Sequence, residues 1–200
     1  AYAARNPFPD TPRELYEPCD YMLTLGGKRL RPALLLMAYE LFSDDVDRAL
    51  PAAWAVELFH NFTLLHDDIM DAAPLRRGKP TVHTRWNITT GILSGDVMLI
   101  HAYRHLAATG PADLVADLVQ VFNRVAVEVC EGQQFDMNFE TLQDVQLAEY
   151  IRMIELKTAV LLGGALGFAL GGFGFDDDLL EGEQGLRGVG FPAITGGAAL

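Results

Sequence analysis

An all-α fold is the expectation, and three features carry it. Ala and Leu are abundant, β-branched runs are few, and long stretches repeat their apolar residues every three or four positions. Half of the 200 residues are hydrophobic, enough to bury one good core, so a single helical domain is expected over 1–200.

The elements follow in order. Residues 2–18 are rich in proline and read as an irregular lead-in, with at most a helical turn over 13–16. A short helix is expected over 19–25, stopped by Gly26-Gly27. Lys28-Arg29-Leu30-Arg31-Pro32 opens a buried helix over 33–42, with Pro32 at its first turn. The acidic cluster Ser43-Asp44-Asp45-Val46-Asp47 is expected to cap the segment over 47–50. A long helix runs over 51–70, and further helices over 90–108, 113–140 and 144–170. Gly91, Ser94 and Gly95 permit close packing of the first of these three. No charge interrupts 158–175, a length just compatible with a membrane span. Its glycines, and the lack of flanking basic or aromatic anchors, favour a closely packed buried helix instead. Cys19 and Cys130 lack metal-ligand spacing and are expected reduced, Cys130 in the core.

Chemistry concentrates at the end of the 51–70 helix. Leu64-Leu65-His66-Asp67-Asp68-Ile69-Met70-Asp71 places carboxylates at the negative end of a helix dipole, an arrangement that a cation would offset. Asp67 and Asp71 are four apart, on one face with Cβ atoms roughly 5–6 Å apart, while Asp68 points about 100° away. An all-oxygen pair suits Mg²⁺, which keeps waters and takes phosphate oxygens into its shell. Arg76-Arg77 follows at once, and paired guanidiniums grip phosphate. Upstream, Lys28 and Arg31 lie three apart beside glycines at a helix entrance, a second place for a phosphate. The net charge of −12 argues against nucleic acid as a partner, so a diphosphate site must be a local focus of positive charge.

These stretches, with Arg76-Arg77-Gly78-Lys79-Pro80-Thr81-Val82-His83, resemble the first aspartate-rich motif of trans-isoprenyl diphosphate synthases, the polyprenyl synthetases. Gly26-Gly27-Lys28-Arg29-Leu30-Arg31-Pro32 resembles that family's N-terminal basic motif, and Glu155-Leu156-Lys157-Thr158-Ala159 its Lys-Thr segment. The resemblance is closest to short-chain geranylgeranyl and farnesyl diphosphate synthases. It implies a bundle of mostly antiparallel helices around a central cavity, and a homodimer; the reduced cysteines point to the cytoplasm.

It also implies roles. Asp67 and Asp71 would bind Mg²⁺. Arg76, Lys157 and Thr158 would hold an allylic prenyl diphosphate, and Lys28, Arg31, His60 and Arg77 isopentenyl diphosphate. Asp67, Asp71, Arg76 and Lys157 form the catalytic set. Gln133 and Asp136 resemble a segment lining the same cavity; Arg29, Lys79 and His83 receive no role, and His66 reads as structural. Phe62, five residues and about 7.5 Å along the helix from Asp67, would stop the growing chain. C20 is the product expected first and C15 second.

Beyond Gly163 the resemblance fails. Asp177-Asp178-Leu179-Leu180-Glu181 and Phe191-Pro192-Ala193-Ile194-Thr195-Gly196-Gly197 are faint counterparts of the family's second aspartate-rich motif. The domain is therefore expected to lack its C-terminal part. The competing readings are an HD-type metal phosphohydrolase built on His66-Asp67, a class I terpene cyclase, and a non-catalytic subunit that binds prenyl diphosphate.

Overall fold

The computed structural model describes residues 2–5, 7–142 and 144–170. Its helices are α1 (Tyr2–Arg5), α2 (Arg13–Thr24), α3 (Leu30–Glu40), α4 (Leu50–Met70), α5 (Val82–Arg85), α6 (Ile88–Ala107), α7 (Ala112–Phe139), α8 (Leu147–Ile154) and α9 (Val160–Leu170). A 3₁₀ turn, Val46–Ala49, precedes α4, and a π turn, Glu155–Ala159, joins α8 to α9. A two-stranded hairpin, β1 (Leu75–Arg76) with β2 (Lys79–Pro80), lies between α4 and α5.

The all-α expectation holds, with α4 as the central element. Ala52, Ala53, Ala55, Val56, Leu58 and Phe59 are all buried, so α4 is apolar around most of its circumference, as a core helix should be. It packs chiefly on α6, where small residues decide the approach. A Cβ at Gly91 would lie 2.8 Å from Ile69 Cδ1, and one at Gly95 would overlap the His66 ring. A chain of edge-on aromatics ties four helices together. Phe122 on α7 meets Phe59 of α4 at 5.1 Å, Tyr103 of α6 at 4.9 Å and Phe168 of α9 at 6.3 Å between ring centroids.

Several local expectations need correction. Residues 13–24 form one helix despite Pro18, because Cys19 and Met22 are buried and Cys19 Sγ donates to Ser94 O of α6; that packing outweighs the backbone bond a proline removes. The lead-in also contains α1. The acids at 44–47 make no side-chain cap: Asp45, at the N-cap of the 3₁₀ turn, bonds none of its amides. α6 begins at Ile88 because Asn87 Oδ1 accepts from Thr90 N at 2.8 Å. Cys130 is exposed, whereas Cys19 is buried and its thiol is pushed up to about 12 by that burial.

The charge-free stretch forms α9 as far as Leu170; 171–175 and both faint counterparts of the second aspartate-rich motif lie outside the described residues. Among the described residues no helix is long and apolar enough to cross a membrane.

Candidate active site

Two polar clusters face each other along α4. His60 and Asp67 are seven residues apart, nearly two full turns, so they share a face with about 10 Å of rise between them. The cluster at Asp67 is built by three elements. Asp67 sits in the last turn of α4, and Asp71 is its C-cap, with Asp71 N bonded to Asp67 O at 2.9 Å. Lys157 reaches in from the π turn and donates to Asp67 Oδ1 at 3.1 Å and to Asp136 Oδ2 of α7 at 2.5 Å.

That reach has a local cause. Gly132 of α7 lies against the backbone of Leu156 and Lys157, with the Leu156 carbonyl carbon 2.7 Å from where a Cβ would stand. The widened π turn occupies this close approach and aims Lys157 at the acids, a use of π turns that recurs at functional sites. Sequence periodicity places Lys157 within a helix but carries no sign of the extra residue. Thr158, next in the turn, is exposed.

The hairpin explains how adjacent arginines serve different places. Arg77 and Gly78 adopt φ of 55° and 76°, a left-handed pair of the kind that closes two-residue hairpins. Arg76, in the strand, turns to the acids: Nε and Nη2 each lie 2.8 Å from an oxygen of Asp68, and Nη2 is 3.6 Å from Asp67. Arg77, at the left-handed position, turns the other way, so that a Cβ on Gly27 would lie 3.0 Å from its Nη1. Asp68 is buried, and its role as Arg76's partner went unread in the sequence.

The second cluster gathers around His60. Arg31 Nη1 donates to His60 Nε2 at 3.1 Å, and the Nε–H of Arg31 is buried with no partner, a donor that an anion would satisfy. Lys28 is exposed on the loop that follows Gly26-Gly27, and no side-chain contact joins it to His60 among the described residues. Burial first, then the charges of Arg31, Arg77, Arg76 and Arg29, push the His60 imidazole down to about 3. His60 is therefore neutral at physiological pH, with Nε2 as acceptor.

A stability prediction follows from that shift. The unfolded chain takes up a proton near pH 6.5 and the folded one only near pH 3, so stability is whole above 6.5 and drains as the pH falls between them. The loss from this one residue is about 2 kcal/mol at pH 5. Urea midpoints measured from pH 7.5 to 4.5 should fall, and His60→Gln should flatten that slope.

Phe62 is half-buried, with its ring edge-on to His66 at 4.7 Å and tilted on Phe59 at 5.8 Å. His66 Nε2 meets Ile92 O of α6 at 3.1 Å, so this imidazole is a helix-packing group directed away from the acids. An HD-type metal centre would need it as a ligand. Gln133 reaches Met70 Sδ at 3.8 Å, at the rim of the acidic cluster. Lys79 is exposed in β2, and His83 Nδ1 is buried without a partner.

The donor set fits a hard divalent cation. Burial first, and then the negative charges of Asp67, Asp136 and Glu140, raise the Asp71 carboxyl, with Lys157 opposing them. The cluster thus holds more negative than positive charge. Among the described residues no three His, Cys, Asp or Glu side chains form a closed metal site. An open pair of carboxylates is what Mg²⁺ uses when substrate phosphates complete its shell.

The family model described as polyprenyl synthetase matches residues 12–181. The chain belongs to this family. A polyprenyl synthetase relative, geranylgeranyl diphosphate synthase of Methanosarcina mazei, is 44% identical over 186 residues, covering 90% of this chain and 57% of that protein. Geranylfarnesyl diphosphate synthase of Natronomonas pharaonis is 39% identical over 192 residues, covering 87% and 56%. A crystal structure of a geranylgeranyl pyrophosphate synthase superposes with a TM-score of 0.82 at 54% identity, covering 86% of this chain and 52% of that one. The geranylgeranyl pyrophosphate synthetase of Geoglobus acetivorans gives 0.81 at 42% identity, covering 84% and 56%. The helical bundle is thus that of the isoprenoid synthases, and the chain spans about half the length of the curated relatives it matches.

Proposed function

We propose that this polyprenyl synthetase is a trans-prenyltransferase that condenses isopentenyl diphosphate with an allylic prenyl diphosphate. The observation that supports it best is the pair of clusters on one face of α4, about 10 Å apart, each offering cations to an anion. One contains Arg76 and Lys157 beside carboxylates. The other contains Arg31 and Arg77 beside neutral His60.

In this reading Arg76, Lys157 and Thr158 hold the allylic diphosphate, while Lys28, Arg31, His60 and Arg77 hold isopentenyl diphosphate. Asp67 and Asp71 would hold Mg²⁺, which when bound offsets diphosphate charge and so favours its departure. Lys157 and Arg76 stabilise the same developing charge from the protein side, where fixed donors need no reorganisation. The allylic C–O bond breaks to give an allyl cation and diphosphate. The double bond held by the second cluster attacks that cation, and the proton then lost goes to the released diphosphate.

The family's geranylgeranyl relatives and the ring of Phe62 together favour C20, with C15 second. Phe62→Ala should lengthen the product by at least one five-carbon unit, read by reversed-phase chromatography of the dephosphorylated prenols; an unchanged product would remove Phe62 as the stop. A homodimer in the cytoplasm is the assembly and compartment in keeping with the family. The test of the reaction itself is incorporation of labelled isopentenyl diphosphate into prenyl product, with Mg²⁺ and an allylic primer supplied. The non-catalytic reading would give binding without product.

A further inference from the structure

We propose that Glu57 is a positioning residue: its buried carboxylate anchors Arg29 and thereby sets the arc of cations that receives isopentenyl diphosphate. The proposal rests on the reading above that Lys28, Arg31, His60 and Arg77 form that substrate's site.

Glu57 is 3% exposed within an apolar stretch of α4, where an ionised carboxylate persists only with partners. It has two. The Arg29 guanidinium pairs with Oε1 through Nη1, and Asn61 Nδ2 donates to the same oxygen at 2.7 Å. Arg29 Nη2 also donates to Leu23 O, in the last turn of α2, at 2.6 Å. One guanidinium therefore joins three helices: the end of α2, the entrance of α3 and the middle of α4.

The consequence falls on the loop between α2 and α3. Arg29 takes the left-handed φ of 50°, a conformation that L residues avoid, and its side chain turns inward. Its neighbours are thereby left to the other side. Arg31 reaches His60, one turn beyond Glu57 on α4, and Gly27 is brought against Arg77. Both contacts stand on the loop whose base Glu57 closes. A buried ion pair is weak evidence of stabilisation in itself, since apolar replacements often serve as well. Placing a polar loop is the use that accounts for this one.

Positioning and mere core packing differ in which ligand feels the change. Equilibrium dialysis with labelled isopentenyl diphosphate alone, which cannot turn over without a primer, reads one site. An unreactive allylic thiodiphosphate with Mg²⁺ reads the other. Glu57→Gln should weaken isopentenyl diphosphate binding by tenfold or more and alter the allylic analogue less than twofold. Should that variant fold poorly, the neutral pair Glu57→Gln with Arg29→Gln removes the stranded charge, and the same selective loss is expected of it. Wild-type affinity in the folded variant, or equal weakening of both ligands, would overturn the proposal. Lys28→Ala separates the two levels. If it leaves isopentenyl diphosphate binding intact, the assignment of the basic loop itself is wrong; if it weakens binding while both Glu57 variants do not, only the positioning role is.

Discussion

Asp67→Asn is expected to lower turnover by about 10³-fold or more and to leave the fold in place. Asp67 is the carboxylate on which the cluster converges: Lys157 donates to it at 3.1 Å, Arg76 stands 3.6 Å away, and Asp71 is one turn on. An amide at that position neither holds a divalent cation well nor orients Lys157, so two sources of transition-state stabilisation weaken together. Loss of one such source alone is worth about 10²–10³ in rate. Stability should change little, because loss of the charge relieves its repulsion of Asp71 and at the same time gives up its ion pairs with Lys157 and Arg76. Steady-state rates beside thermal denaturation separate the two effects, and Asp96→Asn, at an exposed acid near His66, provides the control with a change of no more than about twofold. A rate within tenfold of wild type would remove Asp67 from the site.

Gly132→Ala is the second large effect, and it involves no charged group. A Cβ there would press on the Leu156 carbonyl carbon and the Lys157 Cα, both 2.7 Å away, and these are backbone atoms that cannot swing aside. α7 and the π turn must separate, which carries Lys157 away from Asp67 and Asp136. A misplacement on the order of 1 Å lowers rate about 10²-fold. Overpacking should also destabilise by about 1–3 kcal/mol, partly offset by alanine's better helix propensity of about 1 kcal/mol. Gly167→Ala is the matched control, because a Cβ in that position meets nothing within 4 Å. It should keep full activity and stabilise slightly. Wild-type turnover in Gly132→Ala would show that the π turn's position is not what presents Lys157.

The two variants also mark what sequence could and could not convey. Acids at four-residue spacing are a local pattern that helical periodicity places on one face of α4, so the pairing of Asp67 with Asp71 was legible; the basic pair was legible only as a cluster, since Lys28 lies in the loop before α3. The division of labour between Arg76 and Arg77 was implied by the family resemblance but not by spacing, because it depends on Arg77 adopting a left-handed φ that no side chain announces. Arg29 gave no sign of its role because its partner Glu57 is distant in sequence. Glu57 itself did leave a signal, a lone carboxylate inside an apolar helical run, which must be paired if buried. Cys130 was misjudged because helical spacing says which residues share a face, not which face a neighbour covers.

The measurement that tests the central claim most directly is product chromatography. The purified protein is incubated with Mg²⁺, labelled isopentenyl diphosphate and, in turn, the C5, C10 and C15 allylic diphosphates. A labelled prenyl diphosphate, C20 as the first expectation and C15 as the second, is predicted, and it should vanish in Asp67→Asn. Release of phosphate or diphosphate from the primer with no label entering an allylic product would contradict prenyl transfer and return the acidic cluster to hydrolytic chemistry.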